Sequence, residues 1–227
     1  MKLMGIVNVT PDSFYDGGRY VDTRKAIDHA HHLMDEGGEI IDIGGESTRP
    51  GATPVSLEEE LARVLPVVSE LSNVPFSIDT YKPEVARACL DLGACMINDV
   101  YGLHEEMYDL AREYDAALVV MHKGSCSGMV EFFQEKLDLA NRKGVEKIVL
   151  DPGFGFGKNS AESAYLLDHL SELCFGYPLL VGVSGKKSCG SDVFRSAMIA
   201  KEQGVAYFRV HDVKRVSEFL TSSSIFR

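Results

Sequence analysis

Asp79, Asn98 and Asp151 each stand at the end of a short apolar run, and together they offer two carboxylates and an amide. Such a set suits the edge of a flat heterocycle that carries N–H donors. A carboxylate facing a guanidine-like N–H/NH2 pair makes two charge-assisted bonds, each worth about 1.5–3 kcal/mol. Lys186, after a seventh run, adds a donor for a ring carbonyl or a stem to lie along the ring. A second set is cationic and amide: Asn8, Arg49, Arg209 and His211. It suits a diphosphate, with Asn8 as an oxygen ligand for a Mg2+ ion that keeps most of its waters. Arg209 and His211 are two residues apart in the run RVHD, so a strand there would point both side chains the same way.

Eight apolar runs carry these residues: Leu3–Thr10, Glu39–Gly45, Pro75–Thr80, Cys95–Val100, Ala117–His122, Lys147–Gly153, Pro178–Ser184 and Tyr207–Val213. Amphipathic stretches near 23–36, 56–71, 83–92, 104–114, 129–143, 160–171 and 192–203 separate them, and a weak one follows from about Lys214. Helix starts are signposted by Asp22-Thr23, by Ser56 with Glu59, and by Ser160 with Ser163. Gly37, Gly93, Gly144 and Gly204 stand just past helical stretches, as C-terminal caps do. Eight β-α units without hairpin spacing predict a parallel sheet closed into a single-domain (β/α)8 barrel over 1–227. An open doubly wound sheet is the alternative, but it usually needs fewer strands and often carries GxGxxG, which this chain lacks.

In such a barrel the site lies at the C-terminal strand ends. Read in order, those ends offer Asn8, Thr48-Arg49, Asp79, Asn98, His122, Asp151, Ser184 with Lys186, and Arg209 with His211. The stretch EIIDIGGESTRPGA over 39–52 shows the grammar best, with a buried apolar strand, two glycines, then polar and cationic groups before Pro50-Gly51 turns the chain.

Composition narrows the partners. Over 227 residues the formal net charge is −11, which argues against nucleic acid or an anionic membrane and requires a local cationic cluster to hold any anionic substrate. Five scattered cysteines without a CxxC pair read as reduced thiols of a cytoplasmic protein without structural zinc. No apolar run approaches membrane-spanning length, and no signal peptide precedes the first strand. Other features carry less. His29 and His32 read as a solvated helical face rather than a metal pair. GFGFGK over 153–158 lacks the GK[ST] ending of a phosphate loop, and Phe154 and Phe156 read as loop aromatics, with Phe156 able to cover a planar substrate. Lys123–Cys126 reads as a flexible connection.

The runs MGIVNVTPDSF, IIDIGGESTRPGA, SIDTYKPEVA, INDVYG, LDPGFGFGK, VGVS…K and FRVHDV resemble, in order and over nearly the whole chain, the dihydropteroate synthases. The resemblance implies a TIM barrel that joins 6-hydroxymethyl-7,8-dihydropterin diphosphate to 4-aminobenzoate in folate biosynthesis, using Mg2+ and working as a homodimer. Carried over by motif, Asp79, Asn98, Asp151 and Lys186 bind the pterin with Met121 packed near it, and Asn8, Asp79, Arg209 and His211 surround the diphosphate and its Mg2+. Thr48, Arg49, Pro50, Phe156 and the neighbourhood of Lys187 and Ser188 shape the aminobenzoate pocket, while loops through Asp12–Phe14 and Ser47–Gly51 close over the reacting atoms. The implied chemistry is ionisation of the C–O bond followed by attack of the arylamine. It needs anion-stabilising groups and no dedicated nucleophile, which matches the residues read directly.

One departure has a consequence for the second substrate. The family commonly has Ser-Arg-Lys after its seventh strand, whereas this chain reads Ser184-Gly185-Lys186-Lys187. The missing guanidinium predicts a raised KM for 4-aminobenzoate unless Lys187 supplies the charge. The chain is also short for the family after the fifth and seventh strands. A non-catalytic pterin-binding barrel and a pterin-dependent methyltransferase are the competing readings. The methyltransferase has less use for the STRPGA loop and the RVHD anion site.

Overall fold

The computed structural model describes residues 1–10, 18–47, 52–100, 104–183 and 192–222, with backbone only for 18–22. Eight strands alternate with eight helices. The strands are β1 (Lys2–Asn8), β2 (Ile40–Gly44), β3 (Phe76–Asp79), β4 (Met96–Asp99), β5 (Ala117–Met121), β6 (Ile148–Asp151), β7 (Leu180–Val181) and β8 (Tyr207–Val210). The helices are α1 (Gly18–Asp35), α2 (Leu57–Val68), α3 (Pro83–Asp91), α4 (Glu105–Glu113), α5 (Met129–Lys143), α6 (Ser160–Asp168), α7 (Val193–Glu202) and α8 (Val213–Ser222).

Every strand pairing is parallel, in the order β6-β5-β4-β3-β2-β1-β8-β7. A bridge between Leu150 and Leu179, with Leu150 N donating to Pro178 O at 2.9 Å, joins the two outer strands. The sheet therefore closes into a (β/α)8 TIM barrel, which removes its edges.

Two-residue alternation along these strands divides the barrel interior into layers. Met4, Ile40, Met96, Val119, Val149 and Leu180 form one apolar cluster, with Ala117 and Tyr207 packed against it. Two residues further along the same faces stand Asp42, Asn98, Met121, Asp151 and Arg209. The opposite strand faces pack on the helices in a separate, larger core that includes Ile41, Ile43, Ile78, Ile97, Leu118, Val120, Leu150 and Phe208. One interior layer is thus apolar, and the layer at the C-terminal strand ends is polar.

Local expectations hold in part. Ser56 caps α2 by accepting from Glu59 N at 3.1 Å. The N-cap of α6 is one residue earlier than its Ser160 signal. Asn159 accepts from Glu162 N, and the Glu162 carboxylate accepts from Asn159 N, each at 2.9 Å, so this capping box defeats the weaker serine. α1 begins at Gly18 rather than near residue 23, and β7 keeps two residues of the longer run. α8 forms despite its polar ending because Val213, Val216 and Leu220 bury one face. Phe154 lies in the loop after β6, as expected of a loop aromatic, but its ring belongs to the core at 1% exposure. Among the described residues no helix is long and apolar enough to cross a membrane.

Candidate active site

The polar layer is organised around a residue that the apolar character of its strand conceals. Asp42, in the middle of β2 and fully buried, accepts from Ser77 Oγ at 2.5 Å, Asn98 Nδ2 at 3.0 Å and Arg209 Nε at 2.6 Å. The Arg209 guanidinium reaches on with Nη2 to Asp79 Oδ2 at 2.8 Å. Four strands, β2, β3, β4 and β8, are thereby tied through side chains as well as through the sheet. Asp79 and Asn98 are register partners on β3 and β4, and each keeps one buried oxygen, Oδ1, without a hydrogen-bond partner. Two adjacent unpaired oxygens inside a barrel mouth are costly unless a ligand completes them.

Charge here is not balanced one to one, since Asp42 and Asp79 share one guanidinium. Burial, and then the Asp42 charge beside it, push the Asp79 carboxyl up to about 8, against the pull of Arg209. Burial opposes the Arg209 charge too, but Asp42 and Asp79 outweigh it and raise that group above its ordinary range.

Across the mouth, Asp151 ends β6 and accepts from Gly153 N at 2.7 Å through Oδ1. Met121 ends β5 beside it, buried yet outside both apolar clusters. The loop after β6 folds against the loop after β5. A Cβ on Gly153, whose φ is +69°, would lie 2.0 Å from His122 O, so only glycine fits. Lys158 closes this loop, 5% exposed, donating to His122 O at 3.2 Å, Gly124 O at 3.1 Å and Gly153 O at 3.3 Å. The lysine of GFGFGK is therefore a clamp between two loops. Burial, opposed by Asp151, Cys126 and Glu162, lowers its pKa. His122 turns towards this clamp, with Nδ1 3.3 Å from Lys158 Nζ and its ring edge-on to Phe132. Burial, then Lys158, drop its pKa to about 4, so the ring is neutral and its Nδ1 accepts a hydrogen bond from the Lys158 ammonium. His122 at the end of β5 thus serves the loops rather than the mouth. Phe156 is half-buried in the same loop, its carbonyl accepting from Gly124 N at 2.9 Å.

A third cluster braces the segment after β2. Lys82 Nζ donates to Glu46 Oε2 at 2.6 Å and also to Glu60, which is fully buried. Glu46 accepts from Tyr81 OH at 3.2 Å and from Val55 N at 3.3 Å, while Arg63 Nη1 holds Gly45 O at 2.7 Å. Both ends of the stretch from Gly45 to Val55 are therefore anchored on α2 and the start of α3.

Comparison with known proteins bears directly on this arrangement. The family described as pterin binding enzyme matches residues 4–211. A dihydropteroate synthase of Staphylococcus haemolyticus is 46% identical over 215 residues, covering 88% of this chain and 78% of that protein. The chain belongs to the dihydropteroate synthase family. It is accordingly a transferase of folate biosynthesis. A Clostridium difficile dihydropteroate synthase solved in the presence of pteroic acid superposes with a TM-score of 0.92 at 40% identity, covering 100% of this chain and 97% of the other. A Xanthomonas albilineans dihydropteroate synthase with 4-aminobenzoic acid gives a TM-score of 0.90 at 38% identity, covering 99% and 92%.

Against the family pattern, Asp79, Asn98, Met121, Asp151 and Arg209 lie on the inward faces of the strand ends, and Phe156 lies in the loop after β6. Asn8 ends β1, level with Gly44, which is itself level with Asp79. His211 follows the last residue of β8 at an exposed bend, so strand alternation does not by itself align it with Arg209. Thr48, Arg49, Pro50 and Lys186 lie outside the described residues, as do Asp12–Phe14, Gly185, Lys187 and Ser188. The division into a heterocycle set and an anion set is blurred at Arg209, whose partners are Asp42 and Asp79. Asp42 is the site residue that the sequence pattern does not single out. The available signal was an ionisable residue inside an otherwise apolar run, two positions after the inward-facing Ile40.

Proposed function

We propose that the barrel mouth binds 6-hydroxymethyl-7,8-dihydropterin diphosphate by its ring edge on Asp79, Asn98 and Asp151, and joins its methylene to the amino group of 4-aminobenzoate. The observation that carries this reading is the pair of unpaired buried oxygens, Asp79 Oδ1 and Asn98 Oδ1, on neighbouring strands across from the Asp151 carboxylate. A flat ring bearing N–H and amino donors satisfies such a set, and an apolar or purely anionic ligand does not. Met121 packs by the ring, and Lys186 contributes a donor from the segment after β7.

The methylene C–O bond breaks with its electron pair leaving on diphosphate. The electron-rich ring supports the resulting cation, the arylamine nitrogen forms the new C–N bond, and its surplus proton leaves with the diphosphate or to water. In this reading Arg209, His211 and Asn8 meet the leaving group as it gathers charge, and Arg209 is kept in position by Asp42 and Asp79. Thr48, Arg49, Pro50 and Phe156 form the second substrate's pocket in this reading, with the Glu46–Lys82 brace holding the ends of that segment. A Mg2+ ion fits the donor set only as a passenger of the diphosphate. Among the described residues no cluster of three His, Cys, Asp or Glu could cage it, and Asn8 offers one neutral amide oxygen. Bound there, the ion would neutralise leaving-group charge. A homodimer in the cytoplasm completes the reading, tested by sedimentation velocity.

The deciding experiment is calorimetry of a pterin and of diphosphate with wild type and Asp151→Ala. Removing one partner of a buried charged contact costs about 3–5 kcal/mol, so pterin binding should all but vanish while diphosphate affinity holds. Unchanged pterin affinity would overturn the heterocycle assignment. Kinetics then separate the substrates, with a near-normal KM for the pterin diphosphate and a raised KM for 4-aminobenzoate that Gly185→Arg lowers.

A further inference from the structure

We infer that Asp42 is a positioning residue that fixes which atom of Asn98 faces the ligand, and so sets the preference for a ring that carries an amino group rather than an oxo group at that edge. This rests on the ring-edge reading above. All three of Asp42's contacts come from donors, Ser77 Oγ, Asn98 Nδ2 and Arg209 Nε, so its carboxylate acts as an acceptor only. An amide beside such a carboxylate turns its NH2 towards it, because the reverse orientation sets two acceptors against each other. Asn98 is 1% exposed and its other atom, Oδ1, is the one left unpaired. The amide therefore presents a fixed acceptor, next to the unpaired Asp79 Oδ1 on the neighbouring strand.

Without Asp42 the same side chain would choose its orientation to suit the ligand. A flipping amide gives NH2 to an oxo group as readily as it gives oxygen to an amino group. Orienting Asn98 thus turns a residue that could accept either ring into one that discriminates, since an amino-to-oxo change leaves two acceptors facing each other in a buried site. Arg209 is set by the same carboxylate oxygen, so the guanidinium and the amide keep a constant relation.

The test compares the binding of 6-hydroxymethylpterin and its 2-oxo analogue, 6-hydroxymethyl-lumazine, to wild type, Asp42→Asn and Asp151→Ala. Wild type should prefer the 2-amino ring by about 100-fold, as one mismatched buried hydrogen-bond site implies. Asp42→Asn should bind the pterin about 10-fold more weakly and shrink the preference about 10-fold, with the remainder owed to the Asp151 carboxylate. A merely structural role would lower Tm and leave the preference of the folded variant at its wild-type value, and that result overturns the inference. Asp151→Ala guards the underlying reading: if it leaves pterin affinity intact, the ring-edge assignment itself fails, whatever Asp42→Asn does. Should Asp42→Asn not fold, NMR on wild type decides. A through-hydrogen-bond coupling from the Asn98 side-chain nitrogen to the Asp42 carboxyl carbon should persist when pterin binds, and its loss on binding would overturn the proposal.

Discussion

Arg209 and Lys82 each bridge two carboxylates, the first inside the barrel mouth and the second between the ends of β2 and β3 and the helix α2. The composition is the same, two acids and one base, but the outcomes differ. Lys82 is a compact ammonium whose burial opposes its charge, and its hydrogen bonds to Glu46 and Glu60 outweigh that and hold its pKa above the ordinary lysine range. The Arg209 fork instead keeps Asp42 and Asp79 apart, one on Nε and one on Nη2, and the surplus negative charge surfaces as an Asp79 carboxyl pushed up to about 8. Glu60 Oε1 is also unpaired, but it stands alone on α2, whereas the unpaired oxygens of Asp79 and Asn98 are neighbours facing the barrel interior. One cluster is a brace, and the other is the ring-edge site proposed above.

Removing each cation breaks the comparison most sharply. Arg209→Met strands the Asp42 carboxylate beside the Asp79 carboxyl, Lys82→Met strands Glu46 and Glu60, and each should cost about 3–5 kcal/mol in urea denaturation. Only Arg209→Met should also abolish product formation, while folded Lys82→Met should bind a pterin within about threefold of wild type. Equal losses of pterin affinity in both would mean that the brace reaches the ring edge.

The Lys158 clamp offers a third case, a buried cation held by carbonyls and a neutral imidazole instead of carboxylates. Lys158→Met leaves those carbonyls unpaired at about 1–3 kcal/mol, loosens the loop next to Asp151, and should weaken pterin binding about 10-fold with diphosphate affinity unchanged by calorimetry. A parallel loss of both ligands would show a global effect.

Titration sharpens the contrast further. Folded Asp79 holds its proton up to about pH 8, whereas an unfolded aspartate releases it near about 4. The stability linked to this group is therefore complete below about pH 4 and is lost as the pH rises through about 8. Asp79→Asn should gain stability relative to wild type between pH 5 and pH 8.5, read from urea midpoints at the two values. Parallel curves would mean that Asp79 is ionised in the fold. The smallest effect expected is at the α6 cap, where Asn159→Ala should cost about 1 kcal/mol and leave turnover untouched.

Much of this molecule is legible in its linear order. Eight apolar runs of strand length separated by amphipathic stretches require a parallel sheet, and the inward polar residues at the run ends identify the mouth. Asp79, Asn98 and Asp151 stand out there because burying a polar side chain at a strand end needs a reason, and the proposed ligand would supply one. Helix ends are mostly legible to within a turn, with α6 capped one residue before its signal at Ser160 and α1 starting five residues before residue 23.

What chain order alone could not decide is pairing. Asp42 sits 35 residues from Ser77, 56 from Asn98 and 167 from Arg209, so nothing local marks it as their common acceptor. Lys158 is 36 residues from the His122 carbonyl it holds, and Lys82 is 36 and 22 residues from its two acids. Apolar periodicity is a one-dimensional signal because each strand's faces are set by its own two-residue repeat. Hydrogen bonds across a barrel depend instead on register and on the closing of the sheet, which bring β2, β3, β4 and β8 around one carboxylate only once the whole chain has folded.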